Sequence, residues 1–270
     1  MTSPAFSATR ESEVESLLAG QLAAADRALA DAQKTLRHRL GCDDELIGDR
    51  IVAQVRAGIE SLAGQLAQGD EPYALAHKLT AEPALVRHIH AIAIEAELAE
   101  RLSERLALDP VVSPLLQTVL AASVSANDLL TAQARFVQSQ RRGELVLAEL
   151  PADLRDVLPT GPKPTAAANR LDLLEAVVAE LDDLTLALDV AQAGVALFAT
   201  ALARALGFTR ETTLLAMLQA PRLAIALRAA GLGPRAVERQ LFALDPDARP
   251  PDGLDALSPE RAAALLAGGR

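Results

Sequence analysis

Almost from end to end, the apolar residues of this chain recur every three or four positions, and nearly all of them are Ala, Leu or Val. That spacing is the period of a helix, and Ala and Leu are among its strongest formers. Half of the residues are hydrophobic but only 2% are aromatic, with no Trp, one Tyr (Tyr73) and five Phe. The residues that favour sheets are therefore sparse. The pattern predicts an all-α fold, and 270 residues are enough for a sizeable core in one or two domains.

Capping residues divide the chain. Thr9 opens a first helix to about Leu40, with Gly41 as its stop and Asp43 as a new cap, and a second runs from Asp44 to Gln68. Short helical residues 73–79 follow, then a helix from Thr80–Pro83 to Leu108. Asp109-Pro110 reads as the start of a helix to Ser125, and Asn127 or Asp128 as the start of one to Leu150, with a short helical turn from Pro151. Pro159 to Pro164 holds three prolines and a glycine, which no helix continues through. Beyond it, helices are expected at 166–181, 184–206, 209–218, 222–230 and 234–244, with a last one capped by Ser258-Pro259. The expected organisation is a flexible 1–8, an antiparallel long-helix bundle at 9–108, middle helices at 109–158, a linker at 159–165 and shorter packed helices at 166–270. Solenoid-like stacking of helix pairs is the alternative for the shorter helices, although no repeat of fixed period is present.

Two early helices carry a sharper pattern. Leu18, Leu22, Ala25, Leu29, Ala32 and Leu36 alternate steps of four and three, as do Val52, Val55, Ile59, Leu62 and Leu66. The short connection at Gly41-Cys42-Asp43 makes the two an antiparallel hairpin. Leu17, Leu40, Ile47 and Ile51 then still need cover, either from the helix around Ile89 to Leu106 or from a second subunit. A homodimer is expected, with these heptad runs at its seam or in the packing beneath it.

Several function classes are disfavoured. A net charge of −10 and a pI near 5.0 oppose nucleic-acid binding, which needs a basic face. The single cysteine, Cys42, allows no intrachain disulfide and fits a reducing cytoplasm, and Asp43 and Asp44 beside it oppose a reactive thiolate. Residues 1–10 show neither the basic start nor the apolar run of an export signal. The most membrane-like stretch, Leu184 to Ala203, carries Asp189 and Gln192 and ends at Arg204, so it reads as a central buried helix and no membrane is expected. His88 and His90 lie about 200° apart around a helix and cannot share a metal ion, and neither they nor His38 and His77 fall in a metal-ligand spacing. They read as surface or half-buried polar residues, with Glu95, Glu97, Glu100 and Glu104 following them. No glycine-rich phosphate loop and no nucleophile–base arrangement stands out. Neither cofactor nor metal nor catalysis is expected. The turn between 222–230 and 234–244 invites a helix-turn-helix reading, but the last helix offers little to base edges besides Arg235 and Arg239.

The most singular patch is Arg135 to Arg142. There Arg135, Gln138 and Arg142 share one helix face in an acidic chain, with Phe136 beside them to anchor it. Guanidinium groups so placed suit a carboxylate or phosphate, so this face is the candidate interaction site. The runs Asp109–Leu116, Ala132–Gln138 with Arg141-Arg142 and Glu149–Pro151, Gly207–Arg210 and Ala224–Leu232 together resemble a bacterial family of uncharacterised helical, repeat-like proteins, a domain of unknown function found mostly in alphaproteobacteria. The resemblance implies an all-helical fold and a bacterial cytoplasmic setting, and no activity or site residue comes with it. The expected function is a non-catalytic interaction or regulatory protein that binds itself and an unidentified protein partner. The alternative is a regulator holding a small anionic molecule at the Arg135/Arg142 face.

Overall fold

Residues that satisfy the first backbone N–H groups, or dispense with them, decide where the helices begin. The computed structural model describes residues 49–67, 72–106, 113–123, 149–150, 154, 158 and 170–267. Among these the chain is all-α, with no strand. Its helices are α1 (Asp49–Leu66), α2 (Pro72–Thr80), α3 (Pro83–Leu106), α4 (Pro114–Ser123), α5 (Arg170–Glu180), α6 (Val190–Leu206), α7 (Arg210–Met217), α8 (Ala220–Ala229), α9 (Pro234–Leu244) and α10 (Pro259–Ala267). Five of them open on proline, whose missing N–H costs nothing in the first turn. Thr209 caps α7 by accepting the Thr212 N–H, and Asp189 caps α6 by accepting that of Ala191. Gly207, at φ 62°, ends α6 in the left-handed conformation that glycine adopts without strain.

Helix α3 is the axis of the fold. Its run from Leu85 to Leu102 is rich in apolar residues and buried over most of its circumference, and a helix of that kind must be surrounded. It packs against α1, α2, α6, α7 and α9. Helix α6, similarly apolar, meets α3, α4, α5, α7, α8 and α9. One continuous core therefore runs from Ile51 and Val55 on α1, through Ile94 and Phe198, to Leu241 and Leu266. After Gly207 the chain turns sharply, so that α6 and α7 are bent by 113°. No single helix among the described residues is long and apolar enough to cross a membrane.

Some boundaries differ from the sequence expectation. Helix α6 starts at Val190 and not at Leu184, because the Asp183 carboxylate accepts both the N–H and the hydroxyl of Thr185 and Asp189 takes the cap. Inside α6, Gly194 is non-helical at φ 68° and ψ 165°, and a Cβ there would stand 3.1 Å from the Cβ of Ser113, just ahead of α4. Helix α4 starts at Pro114, after a non-helical Ser113 whose hydroxyl accepts the Leu116 N–H at 3.3 Å; the expected start at Pro110 lies outside the described residues. Residues 149 and 150, expected to finish a helix, are not helical. The linker 159–165 and the first heptad helix lie outside the described residues.

Candidate functional site

The densest polar chemistry lies where α3, α5 and α7 converge. Glu95 projects from the middle of α3 and is 4% exposed. Its Oε1 accepts a 2.6 Å hydrogen bond from Nη1 of Arg170, the first residue of α5. Its Oε2 accepts from Nη2 of Arg210, the first residue of α7. Arg170 also holds Glu149 with its other edge: Nε donates to Oε1, and Nη2 donates to Oε2 at 3.2 Å. Two carboxylates and two guanidinium groups thus neutralise one another, joining positions 75 and 115 residues apart. Arg210 Nε also reaches the buried Thr200 hydroxyl on α6 at 3.4 Å, and that hydroxyl donates to the Ala196 carbonyl.

Burial alone would push the Glu95 carboxyl up, but Arg170 and Arg210 on either side outweigh it and hold it at about 2. Burial likewise works against the Arg170 charge, and Glu95 and Glu149 more than compensate, so Arg170 stays protonated. With both oxygens bound and its proton lost, Glu95 is poorly suited to act as a general base and well suited to tie helices together.

A second link runs parallel to the first. His88 lies two turns before Glu95 on the same face of α3, with Nδ1 3.8 Å from Oε1 of Glu211 on α7. His88, the Glu211 backbone N–H and Thr209 together draw the Glu211 carboxyl down to about 2, against the opposing effect of burial. Glu211 also sits in the first turn of α7, where the helix dipole favours an anion. His90 points the other way and is buried as well, at 2% exposure; its Nε2 has no hydrogen-bond partner, and burial lowers its pKa to about 4. The expectation of surface or half-buried histidines holds for His77, which is exposed, and is corrected for His88 and His90: α3 is enclosed on both of their faces, so residues about 200° apart are both interior. Glu95 and Glu97, at 4% and 3% exposure, are interior too. Among the described residues no group of three or more His, Cys, Asp or Glu is arranged to hold a metal ion.

Above the network opens a cleft of about 430 Å³. Leu171, Val178, Ala203 and Phe208 give it apolar walls, while Glu175, Arg204, Arg210 and Glu211 supply charges of both signs. Sequence reasoning misses this assembly, because Glu95 reads with Glu97, Glu100 and Glu104 as one of a row of surface or half-buried polar residues.

The candidate residues named from sequence fall in two groups. Val55, Ile59 and Leu62 are 0–1% exposed and packed inside the chain, where α1 meets α2 and α3. Ile51 is buried with them, and Val52 lies on the same helix. Leu18, Leu22, Leu29 and Leu36, and the face made by Arg135, Gln138 and Arg142, lie outside the described residues. Compared with protein-family models, curated proteins and solved structures, the chain matches none.

Proposed function

We propose that this chain is a non-catalytic interaction or regulatory protein, acting in a bacterial cytoplasm by associating with itself as a homodimer and with a protein partner. The observation that carries this reading is the contrast between its interior and its surface. Inside, the charged groups of the α3–α5–α7 junction are paired between helices. Outside, Phe242 on α9 is 56% exposed on the helix that also exposes Arg235 and Arg239, and among the described residues neither arginine has a hydrogen-bonded or ion-paired partner. Arg and aromatic side chains are enriched at the centres of protein interfaces. A second reading, a regulator responding to a small charged molecule, is favoured by the cleft, which sets Arg204 and Arg210 beside apolar walls.

Light scattering on the full chain, with native-lysate co-purification, tests the first reading. A mass near twice 28.3 kDa and a stoichiometric co-purifying protein are expected. A monomer that retains no protein overturns it. Thermal shift against nucleotides, phosphate esters and amino acids tests the second, since a specific ligand raises the melting temperature by linkage.

A further inference from the structure

We propose that the outward face of α9 docks on the acidic loop 180–186 of a second copy of this chain, and that the second copy returns the same contact. The inference rests on the self-association reading above and adds the surface that performs it. Helix α9 buries Val237, Gln240, Leu241 and Leu244. That stripe leaves Arg235, Arg239 and Phe242, at i, i+4 and i+7, on the outward side. Glu238 is the one acidic residue of the helix and is also exposed.

Phe242 is held in place. The Arg105 guanidinium from the end of α3 lies 5.1 Å from its ring centroid and donates to the Phe242 carbonyl and, at 2.8 Å, to that of Ala243. This caps the carbonyl end of α9 with a cation and presents the ring preorganised, with Leu106, 39% exposed, next in sequence to Arg105. The result is an exposed aromatic ring under the Arg105 guanidinium, on a helix face that also carries Arg235 and Arg239, in a chain of net charge −10.

Among the described residues the large exposed hydrophobics are Leu106, Phe242 and Leu186. Leu186, at 58%, has the opposite setting: it follows the exposed pair Asp182 and Asp183. That loop is preformed, since Asp183 accepts the Thr185 N–H at 2.8 Å and its hydroxyl at 2.6 Å. The two surfaces belong to elements that meet. The loop leads into α6, whose first N–H, that of Val190, donates to Oε1 of Gln240 on α9 at 2.8 Å. Within one chain no ion pair joins Arg235 or Arg239 to the loop. One chain that carries both a basic apolar surface and an acidic apolar one can pair with its own copy across a two-fold axis, where every contact is made twice. Arginine forks bind carboxylates bidentately and fix the register, and Phe242 and Leu186 supply the apolar contact.

The test measures the self-association constant of the full chain by sedimentation, with melting curves as a check on folding. The variants are a helix pair, Arg235→Glu with Arg239→Glu, and a loop pair, Asp182→Arg with Asp183→Asn, in which the asparagine keeps an acceptor for Thr185. Each alone should weaken wild-type dimerisation at least tenfold, and an equimolar mixture of the two should recover it as a heterodimer. If a reversed variant melts low, Arg239→Gln and Asp182→Asn replace them, each weakening association several-fold and more so at low salt. Wild-type affinity in both reversed variants overturns the proposal but leaves the self-association reading intact, with a different interface. Loss in both without recovery on mixing overturns it as well, because the two surfaces would not then meet. A wild-type monomer throughout the micromolar range overturns both proposal and self-association; if a captured protein is then lost with the reversed helix, the α9 face belongs to that partner.

Discussion

Replacing Arg170 by Met should be among the costliest single substitutions in this protein, and the structure says why. Among the described residues Arg170 is the only side chain hydrogen-bonded to Glu149, which is fully buried, and it shares Glu95 with Arg210. Methionine fills much of the same volume but leaves Glu149 charged and unpaired in the interior, while Glu95 keeps one partner. Breaking a buried pair from one side costs about 3–5 kcal/mol. Against a typical domain stability of about 5–15 kcal/mol, that is a large fraction. Urea denaturation at neutral pH, with the slope checked for constancy, measures the loss. The second variant isolates the cause: with Arg170→Met and Glu149→Leu together, the orphan is gone and most of the loss should return, since apolar replacement of a buried pair is often neutral or better. A loss below about 1 kcal/mol for Arg170→Met would refute the buried network. A double variant as unstable as the single one would refute the orphan-carboxylate reasoning.

Other perturbations follow from the same interior. Because burial lowers His90 from 6.5 to about 4, the unfolded chain takes up its proton first as pH falls; stability should therefore drop between pH 6.5 and 4 by about 3 kcal/mol, and His90→Leu should flatten that slope in urea titrations at stepped pH. Below about 4.5 a further loss is expected as Glu95 and Glu211, held near 2 in the fold, are protonated first in the unfolded chain. Gly194→Ala should cost about 1–3 kcal/mol in thermal or urea unfolding, from a positive φ and a Cβ placed against Ser113. Ile59→Asp should lower helicity and melting temperature by burying a charge at a site 1% exposed, at a cost of about 3 kcal/mol or more; a variant that stays folded and merely dissociates would contradict the intrachain burial of this seam.

Local signals in the sequence carried much of the fold. Proline and short polar residues mark where α3, α7, α9 and α10 begin, and these follow rules that act within one helical turn. The start of α6 was misplaced because Leu184 to Leu188 is as apolar as the helix it precedes, so that the Asp183 turn and the Asp189 cap decide the boundary. The ion network was illegible for a different reason. A carboxylate in sequence looks the same whether it faces water or an arginine, and Glu95 meets partners 75 and 115 positions away. One signal was nonetheless present: apolar residues fall on most sides of the stretch 85–99, so that of its charged and polar groups only Arg87 reaches solvent and the others are interior. The same rule applied to His88 and His90 would have put both inside.

Amide hydrogen exchange on the full chain, at submicromolar and at tens of micromolar concentration, tests most directly the claim that this protein works by association through its surface. The account predicts slower exchange at the higher concentration in loop 180–186 and around α9, and unchanged exchange in α3, which is already enclosed. Identical exchange at both concentrations, or slowing confined to segments elsewhere, would contradict it.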